Sequence, residues 1–251
     1  MYKFQSDYYK NACYSPGHYY SPIINVDEIK KNTDEIWNKT AVDGIVGINL
    51  NVDAQISLIN ELKKYYCDIP FSSLKSSNRR YYFENDLYSY TDAIILYSFI
   101  RHFKPKRIIE AGSGFTSALM LDINNIFLKD NSLELTFIEP YPDRLYSLIT
   151  EEDKNNTNII VDKIQSVNVS FFDELAENDI LFIDSTHVSK TGSDVNYILF
   201  EILPRLKPGV FIHFHDVFIH LSIRESGYLV VLTGMKIICF MHFLCIMKLL
   251  K

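Results

Sequence analysis

The chain contains few of the residues that mark secreted, metal-clustering or nucleic-acid-binding proteins. Its cysteines are Cys13, Cys67, Cys239 and Cys245. Their spacing matches no metal-ligand pattern and their number is too small for a disulfide framework, so we expect reduced thiols. Basic residues are not in excess, because 25 Lys and Arg stand against 31 Asp and Glu, and the net charge of −6 disfavours a nucleic-acid partner. The first residues lack the apolar run of a secretory signal, so we expect a cytoplasmic location.

The chain does have a regular alternation of apolar, strand-like segments with amphipathic segments of helical period. The predicted strands are 107–110, 134–139, 158–162, 179–184 and 209–215. The predicted helices of this region are 91–102, 115–128, 143–150, about 171–176, and 192–206. Such alternation predicts an α/β fold of the Rossmann-like, doubly wound type, with a mainly parallel sheet covered on both faces.

Composition and periodicity divide the chain into three parts. Residues 1–80 are predicted to form a small N-terminal arm with helices over 26–38 and 53–66, which together would cap the sheet. Residues 81–219 would form the main α/β domain. Residues 220–251 form an apolar tail that does not continue the pattern.

The first predicted strand ends at Glu110 and breaks at once into Gly112-Ser113-Gly114. Two close glycines allow a tight turn and bring backbone N–H groups close to a ligand, at the positive end of the following helix. A dinucleotide pyrophosphate would be repelled by Glu110, and Ser117 stands where the dinucleotide fingerprint has its third glycine. An NAD(P)-dependent oxidoreductase is therefore the alternative, and a ligand with an ammonium group fits better.

Acidic residues also end three other predicted strands. Glu139 follows the second strand, Asp184 the fourth and Asp216 the fifth. In an open parallel sheet, ligands bind beyond the carboxyl ends of the strands, so these carboxylates are expected to converge there with Glu110. A carboxylate at such a position can accept both hydroxyls of a ribose, which is the role expected for Glu139.

Four segments together resemble the class I S-adenosylmethionine-dependent methyltransferases, in the bacterial branch related to macrocin-type and caffeoyl-CoA-type O-methyltransferases. They read E-A-G-S-G-F-T-S, F-I-E-P, F-I-D-S-T-H and L-K-P-G-V-F-I-H-F-H-D, within residues 80–219. The resemblance implies transfer of a methyl group from S-adenosylmethionine to an oxygen of a small-molecule or glycan-type acceptor. The cofactor-binding residues it implies are Glu110, Gly112, Ser113, Gly114, Thr116, Glu139, Asp162 and Asp184.

Methyl transfer to an oxygen requires the acceptor hydroxyl to lose its proton. In the metal-dependent relatives, acids at the ends of the fourth and fifth strands hold Mg²⁺, and the resemblance places Asp184 and Asp216 at these positions. Val217 stands where catechol-type relatives supply an amide ligand. The alternative is a general base, His187 or His215, since the histidine pKa lies near the working pH.

Two further interpretations apply to the same strand. His213 alternates onto the same face as His215 and is expected to be a core histidine. A zinc hydrolase is disfavoured, because His213-Phe214-His215-Asp216 lacks the spread ligand set of such sites.

The tail departs from the expected end of the fold, which needs one more helix and an antiparallel strand pair. Residues 229–250 have the length and hydropathy of a membrane span, interrupted by Lys236 and His242. A membrane-associated location, with a membrane-anchored binding module or a non-catalytic remnant as the function, is therefore the alternative.

A frameshift near Ile219 explains the tail better. Reading residues 220–251 in the shifted frame can give a sequence that resembles the tail expected for this branch, including Glu, Ala and Glu at three places where the codons leave no choice. Those places are Met235/Lys236, Met241/His242 and Met247/Lys248. The hypothesis predicts an incomplete C-terminal end of the sheet, and an intact frame on resequencing the locus would refute it.

Overall fold

The computed structural model describes residues 13–15, 17–21, 23–32, 49–128 and 133–216. The chain divides into two compact units, residues 1–49 with 217–251, and residues 50–216. The tail and its proposed frameshift lie outside the described residues. The predicted boundaries after residues 80 and 219 stay predictions.

The second unit is built on a five-stranded, all-parallel sheet with the order β3-β2-β1-β4-β5. The strands are β1 Arg107–Ala111, β2 Glu134–Ile138, β3 Asn158–Ile160, β4 Ile180–Ile183 and β5 Phe211–Phe214. In the register of the sheet, Ile109 of β1 lies opposite Thr136 of β2 on one side and Leu181 of β4 on the other. The predicted Rossmann-like fold class is confirmed.

The two central strands, β1 and β4, are buried along almost their whole length, and β4 is entirely apolar. Ile108 and Ile109 of β1 are buried, and so is every residue of β4. Continuous apolar runs, rather than alternation, are typical of parallel strands that are covered on both faces. The same pattern explains why these strands could be located in the sequence.

The helices of the second unit flank the sheet and connect its strands. They are α2 Val52–Leu62, α3 Tyr90–Phe103, α4 Phe115–Phe127, α5 Asp143–Leu148, α6 Glu151–Asn156 and α7 Asp194–Tyr197. The first unit contributes α1 Val26–Lys31, which begins after Asn25 because that side chain accepts hydrogen bonds from the N–H groups of Asp27 and Glu28. The rest of the helix predicted over 26–38 lies largely outside the described residues.

Several helical segments differ from the prediction. The helix predicted over about 171–176 is a 3₁₀ helix, Val169–Glu174, and the last part of the helix predicted over 53–66 lies in another, Lys63–Asp68. The segment predicted as one helix over 192–206 is α7 followed by a π-helical turn, Ile198–Ile202, and a 3₁₀ turn, Leu203–Arg205. Pro204 explains the change, because it donates no hydrogen bond and its ring clashes with the carbonyl four residues earlier. The separate helix α6 was not predicted. It begins at a capping box in which Thr150 and Asp153 bond each other's backbone N–H.

A buried ion-pair network ties the segment before α3 to two helices. Arg80 pairs with Asp122 of α4 at 2.8 Å and with Asp153 of α6, where its Nε–Oδ2 distance is 2.7 Å. Asp122 also accepts the backbone N–H groups of Arg80 and Tyr81, both at 2.9 Å. The Arg80 side chain is 16% exposed and that of Asp122 only 2%.

Arg80→Met is expected to lower the free energy of unfolding by about 3 kcal/mol, because it leaves two buried carboxylates without their cation. Urea unfolding followed by circular dichroism measures the change. The control is Arg205→Met, since the pair of Arg205 with Asp173 is exposed on both sides, and its urea midpoint is expected to match the wild type. Equal midpoints for the two variants would show that the Arg80 network contributes no more than a surface pair.

Candidate functional site

The candidate site lies where the strand order reverses, between β1 and β4. From β1 the chain runs outward to β2 and β3, and then returns to β4 on the other side of β1. Here the Ala111 carbonyl accepts the N–H of Asp184 at 2.8 Å, and the Ile138 carbonyl accepts that of Gly112 at 3.0 Å. In open α/β sheets this reversal opens a crevice at the carboxyl ends of the strands, which is where ligands bind.

Only glycine fits at position 112, because of its backbone conformation and the closeness of Asp184. Its φ is +90°, and a Cβ built there would lie 1.8 Å from the carbonyl oxygen of Asp184. The residue therefore allows the loop after β1 to pass directly against the end of β4. Gly114 is less constrained, since its Cβ would meet only the end of the flexible Arg144 side chain, at 3.2 Å.

Glu139 faces the glycine loop from the end of β2. One of its carboxylate oxygens accepts the N–H of Ser113 at 3.1 Å, and the other accepts the N–H of Tyr141 at 2.8 Å. Each carboxylate oxygen can accept about two hydrogen bonds, so Glu139 keeps capacity for two hydroxyl donors. The carboxylate is thus held beside the loop and can still bind a ligand.

Ser113 supplies a second polar group that can serve a ligand. Its Oγ is buried and has no hydrogen-bond partner among the described residues. It lines a cavity at the carboxyl ends of the strands together with Leu87, Tyr88, Gly112, Gly114, Phe115, Thr116, Glu139, Arg144 and Asp184. A buried hydroxyl next to a carboxylate with free lone pairs fits a ligand that carries both donors and acceptors.

Glu110 lies beneath this cavity and is fully buried. Its carboxyl oxygens accept hydrogen bonds from the hydroxyls of Thr116 and Ser117, in the first turn of α4. Burial raises the pKa of Glu110 to about 8, against the opposing effect of these two hydroxyls. The observed contacts hold α4 against β1, and a contact of Glu110 with the cofactor stays a prediction.

Asp184, His187 and Asp216 form a cluster beside the cavity. Each offers one ligand atom, and these three atoms all lie within 4.8 Å of one another. The Nε2 of His187 is 3.4 Å from an oxygen of Asp184 and 3.7 Å from an oxygen of Asp216. The loops after β4 and β5 thus bring together three of the four predicted catalytic residues.

His215, the fourth, contacts the same two carboxylates from the end of β5. Its Nδ1 is 3.4 Å from Asp184 and 3.5 Å from Asp216, and its Nε2 is 3.9 Å from Asp92 of α3. Burial alone would lower the pKa of His215, but Asp184 and Asp216 outweigh it and raise the pKa to about 10. Burial likewise opposes the ionised form of Asp184, yet His187 and His215 hold the pKa of that carboxyl well below its usual range. Of the two histidines proposed as general base, His187 fits better, because His215 keeps its proton at neutral pH.

Two other predicted residues lie elsewhere. The His213 ring stacks on Phe182 with centroids 4.3 Å apart, which fits a packing role. Asp162 is exposed after β3 and accepts the N–H of Lys163 at 2.7 Å. Its proposed place beside an adenine stays a prediction.

Comparison with known proteins gives the family. A family model described as "Methyltransferase domain" matches residues 109–217. An uncharacterized protein of Archaeoglobus fulgidus is 35% identical over 185 residues, which cover 71% of this chain and 81% of that protein. The chain therefore contains a methyltransferase domain over residues 109–217. No solved structure matches it at a significant level.

Sequence reasoning missed several residues of the candidate site, among them Tyr88, Asp92 and Arg144. Tyr88 and Arg144 line the cavity, and Asp92 approaches His215. The signal for Arg144 was available, since it lies in the first turn of the helix after Glu139 and so at the same edge of the sheet. Tyr88 and Asp92 come from the segment before β1, and no local pattern indicated that it reaches this edge.

A larger cavity, of about 610 Å³, lies at the opposite end of the strands. Arg107 and Glu134, the first residues of β1 and β2, are part of its lining. Ligands of open α/β sheets bind beyond the carboxyl ends instead, so the smaller cavity is the candidate site.

The described part of the chain contains no helix that is both long enough and apolar enough to cross a membrane. The apolar stretch 229–250 lies outside that part, and the membrane-associated alternative stays a prediction.

Proposed function

We propose that this methyltransferase uses S-adenosylmethionine to methylate an oxygen of a small-molecule or glycan-type acceptor, as do the macrocin-type and caffeoyl-CoA-type enzymes that it resembles. The observation that carries the proposal is the meeting of the Gly112–Gly114 loop with Glu139 and Asp184 at the reversal of strand order. The loop supplies backbone donors and the two acids supply acceptors. This combination suits a ligand with ribose hydroxyls and an amino acid moiety.

The residues present fit the cofactor. Glu139 would accept the two ribose hydroxyls with its remaining lone pairs. The Ser113 hydroxyl, which is buried without a partner among the described residues, and Thr116 would donate to the carboxylate of the methionine moiety. When bound, the cofactor supplies an electrophilic methyl group on a sulfonium sulfur.

The chain must then position the acceptor and remove its proton. The bound cofactor would supply the methyl group to the acceptor oxygen, and the hydroxyl proton would leave to a base of this chain. His187, next to Asp184, is the base available if no metal takes part. Alternatively, Asp184 and Asp216 would hold a divalent cation, Mg²⁺ in the sequence-based expectation, that lowers the pKa of the acceptor hydroxyl.

Glu139→Ala is expected to weaken binding of S-adenosylhomocysteine at least about 100-fold, since it removes two hydrogen bonds to a charged acceptor. Isothermal titration calorimetry with the purified chain measures the affinity. Glu134→Ala is the matched control, because it removes an exposed carboxylate at the other end of the same strand, and it is expected to bind like the wild type. Equal affinities of both variants, or binding of NADH in place of S-adenosylhomocysteine, would contradict the proposed cofactor.

A further inference from the structure

We propose that Asp184, His187 and Asp216 together bind a divalent transition-metal ion, such as Mn²⁺, Fe²⁺, Co²⁺ or Zn²⁺, in preference to Mg²⁺. The inference rests on the proposed function, which places the acceptor oxygen beside Asp184. It deepens that function by naming the ion at this place. It differs from the sequence-based expectation in two ways. It adds an imidazole ligand to the two carboxylates, and it changes the class of ion.

The distances between the three donors carry the first part of the proposal. The His187 nitrogen lies 3.4 Å and 3.7 Å from its two carboxylate oxygens, whereas a charge-assisted hydrogen bond would bring such atoms to about 2.7–2.9 Å. Two donors that each lie about 2.1 Å from one ion, at a tetrahedral angle, are separated by about 3.4 Å. The His187 nitrogen is therefore spaced from each carboxylate oxygen as two ligands of a common ion would be.

The loop that carries His187 is fixed from the far side. The N–H and the hydroxyl of Thr186 both donate to Asp194, at 2.8 Å and 2.6 Å. Asp184 is fixed in turn by its backbone, which bonds to β1 and packs against Gly112. The backbone that carries two of the three donors is thus held in place without the ion, which reduces the cost of ordering this segment when the ion binds.

The donor types carry the second part. Mg²⁺ favours oxygen ligands in a regular octahedron and usually keeps several waters. Imidazole suits Zn²⁺, Fe²⁺ and related ions, and carboxylates also suit Mn²⁺. Three protein ligands leave coordination positions open, which is the arrangement of a site that binds a substrate oxygen rather than of a closed structural site.

The test is Mn²⁺ binding by the full-length chain, untagged and stripped with a chelator, followed by electron paramagnetic resonance. We expect one equivalent of Mn²⁺ to bind, pulsed spectra to show coupling to an imidazole nitrogen, and Mg²⁺ to compete only at concentrations at least about tenfold higher. His187→Gln is expected to weaken Mn²⁺ binding at least about tenfold and to remove the coupling. His102→Gln is the matched control. That histidine lies on α3, its Nε2 is 3.5 Å from an oxygen of Glu61 of α2, and the variant is expected to bind like the wild type.

Three results would overturn the proposal: no stoichiometric Mn²⁺ binding by the wild type, nitrogen coupling that persists in His187→Gln, or Mg²⁺ that competes at equal concentration. The wild-type spectra do not depend on whether a variant folds. Titration of the same wild-type sample with S-adenosylhomocysteine separates the two proposals. Binding of S-adenosylhomocysteine without Mn²⁺ would contradict only the metal site. Binding of Mn²⁺ without S-adenosylhomocysteine would contradict only the proposed cofactor.

Discussion

Gly112→Ala is expected to destabilise the chain by more than about 4 kcal/mol and to leave little folded protein. Two effects add at this residue. The φ of +90° is unfavourable for any residue with a Cβ, and that Cβ would lie 1.8 Å from the carbonyl oxygen of Asp184. The neighbouring atom belongs to the backbone at the end of a central strand, so it cannot move without disturbing the sheet. The yield of soluble protein and its thermal unfolding temperature measure the effect.

Gly192→Ala separates the two effects. Gly192 also has a positive φ, +72°, but a Cβ there would have none of the described residues within 4 Å. The substitution is expected to cost only the conformational strain, about 1 kcal/mol. If Gly112→Ala unfolds at the same temperature as Gly192→Ala, the close approach of the β1 loop to Asp184 is wrong.

Gly112 also illustrates what the sequence could and could not predict. The glycine pair after an apolar strand predicted a tight loop that faces a ligand, and the loop does line the cavity at the carboxyl ends of the strands. The sequence did not reveal that the closest neighbour of Gly112 is Asp184, because only the return of the chain to the other side of β1 brings them together. A local pattern predicts a turn, whereas a contact across the reversal depends on the strand order.

The same distinction applies to the rest of the fold. The strands and the longer helices could be predicted because their apolar residues repeat at the period of the element that they form. The Arg80 network could not, because its partners, Asp122 and Asp153, lie on two different helices and look like ordinary polar residues in the sequence. The π-helical turn was missed because Pro204 acts on the preceding turn, where the apolar period continues.

The candidate metal cluster could be predicted only in part. That Asp184 and Asp216 end neighbouring strands could be inferred from the predicted sheet. His187 was predicted as a candidate base, but its approach to both carboxylates could not be inferred, since it depends on the left-handed conformation of His187, with φ of +62°, in the loop after β4. Few residues other than glycine adopt this conformation, and the sequence gives no signal that fixes it at His187.

Glu110→Gln is expected to change how stability depends on pH. The folded chain holds a proton on Glu110 up to about pH 8, whereas the reference pKa of a glutamate is 4.5. Between these values the folded state binds one proton that the unfolded state has released, so the free energy of unfolding falls as pH rises. At about 1.4 kcal/mol per pH unit, the full loss across this window is about 5 kcal/mol.

Glutamine has no proton to release and keeps the size of the side chain. Its amide oxygen can accept from one of the two hydroxyls, of Thr116 and Ser117, and its NH₂ group can donate to the other, as a protonated carboxyl would. The difference in the free energy of unfolding between Glu110→Gln and the wild type is therefore expected to shift in favour of the variant by about 1.4 kcal/mol per pH unit from pH 5 to 8. Urea unfolding at each pH measures it. Taking the difference cancels the other titrating groups, including Asp184 and Glu139, whose charges also raise the pKa of Glu110.

Glu152→Gln is the control, because it removes a carboxylate that is exposed on α6. Its profile is expected to run parallel to that of the wild type. A parallel profile for Glu110→Gln as well would mean that Glu110 is ionised in the folded chain and that a counter-charge or water reaches it. In that case a cationic ligand group could pair with it directly. If instead the profiles diverge as expected, such pairing requires Glu110 to lose its proton when the cofactor binds, and affinity for the cofactor would then rise with pH up to about 8.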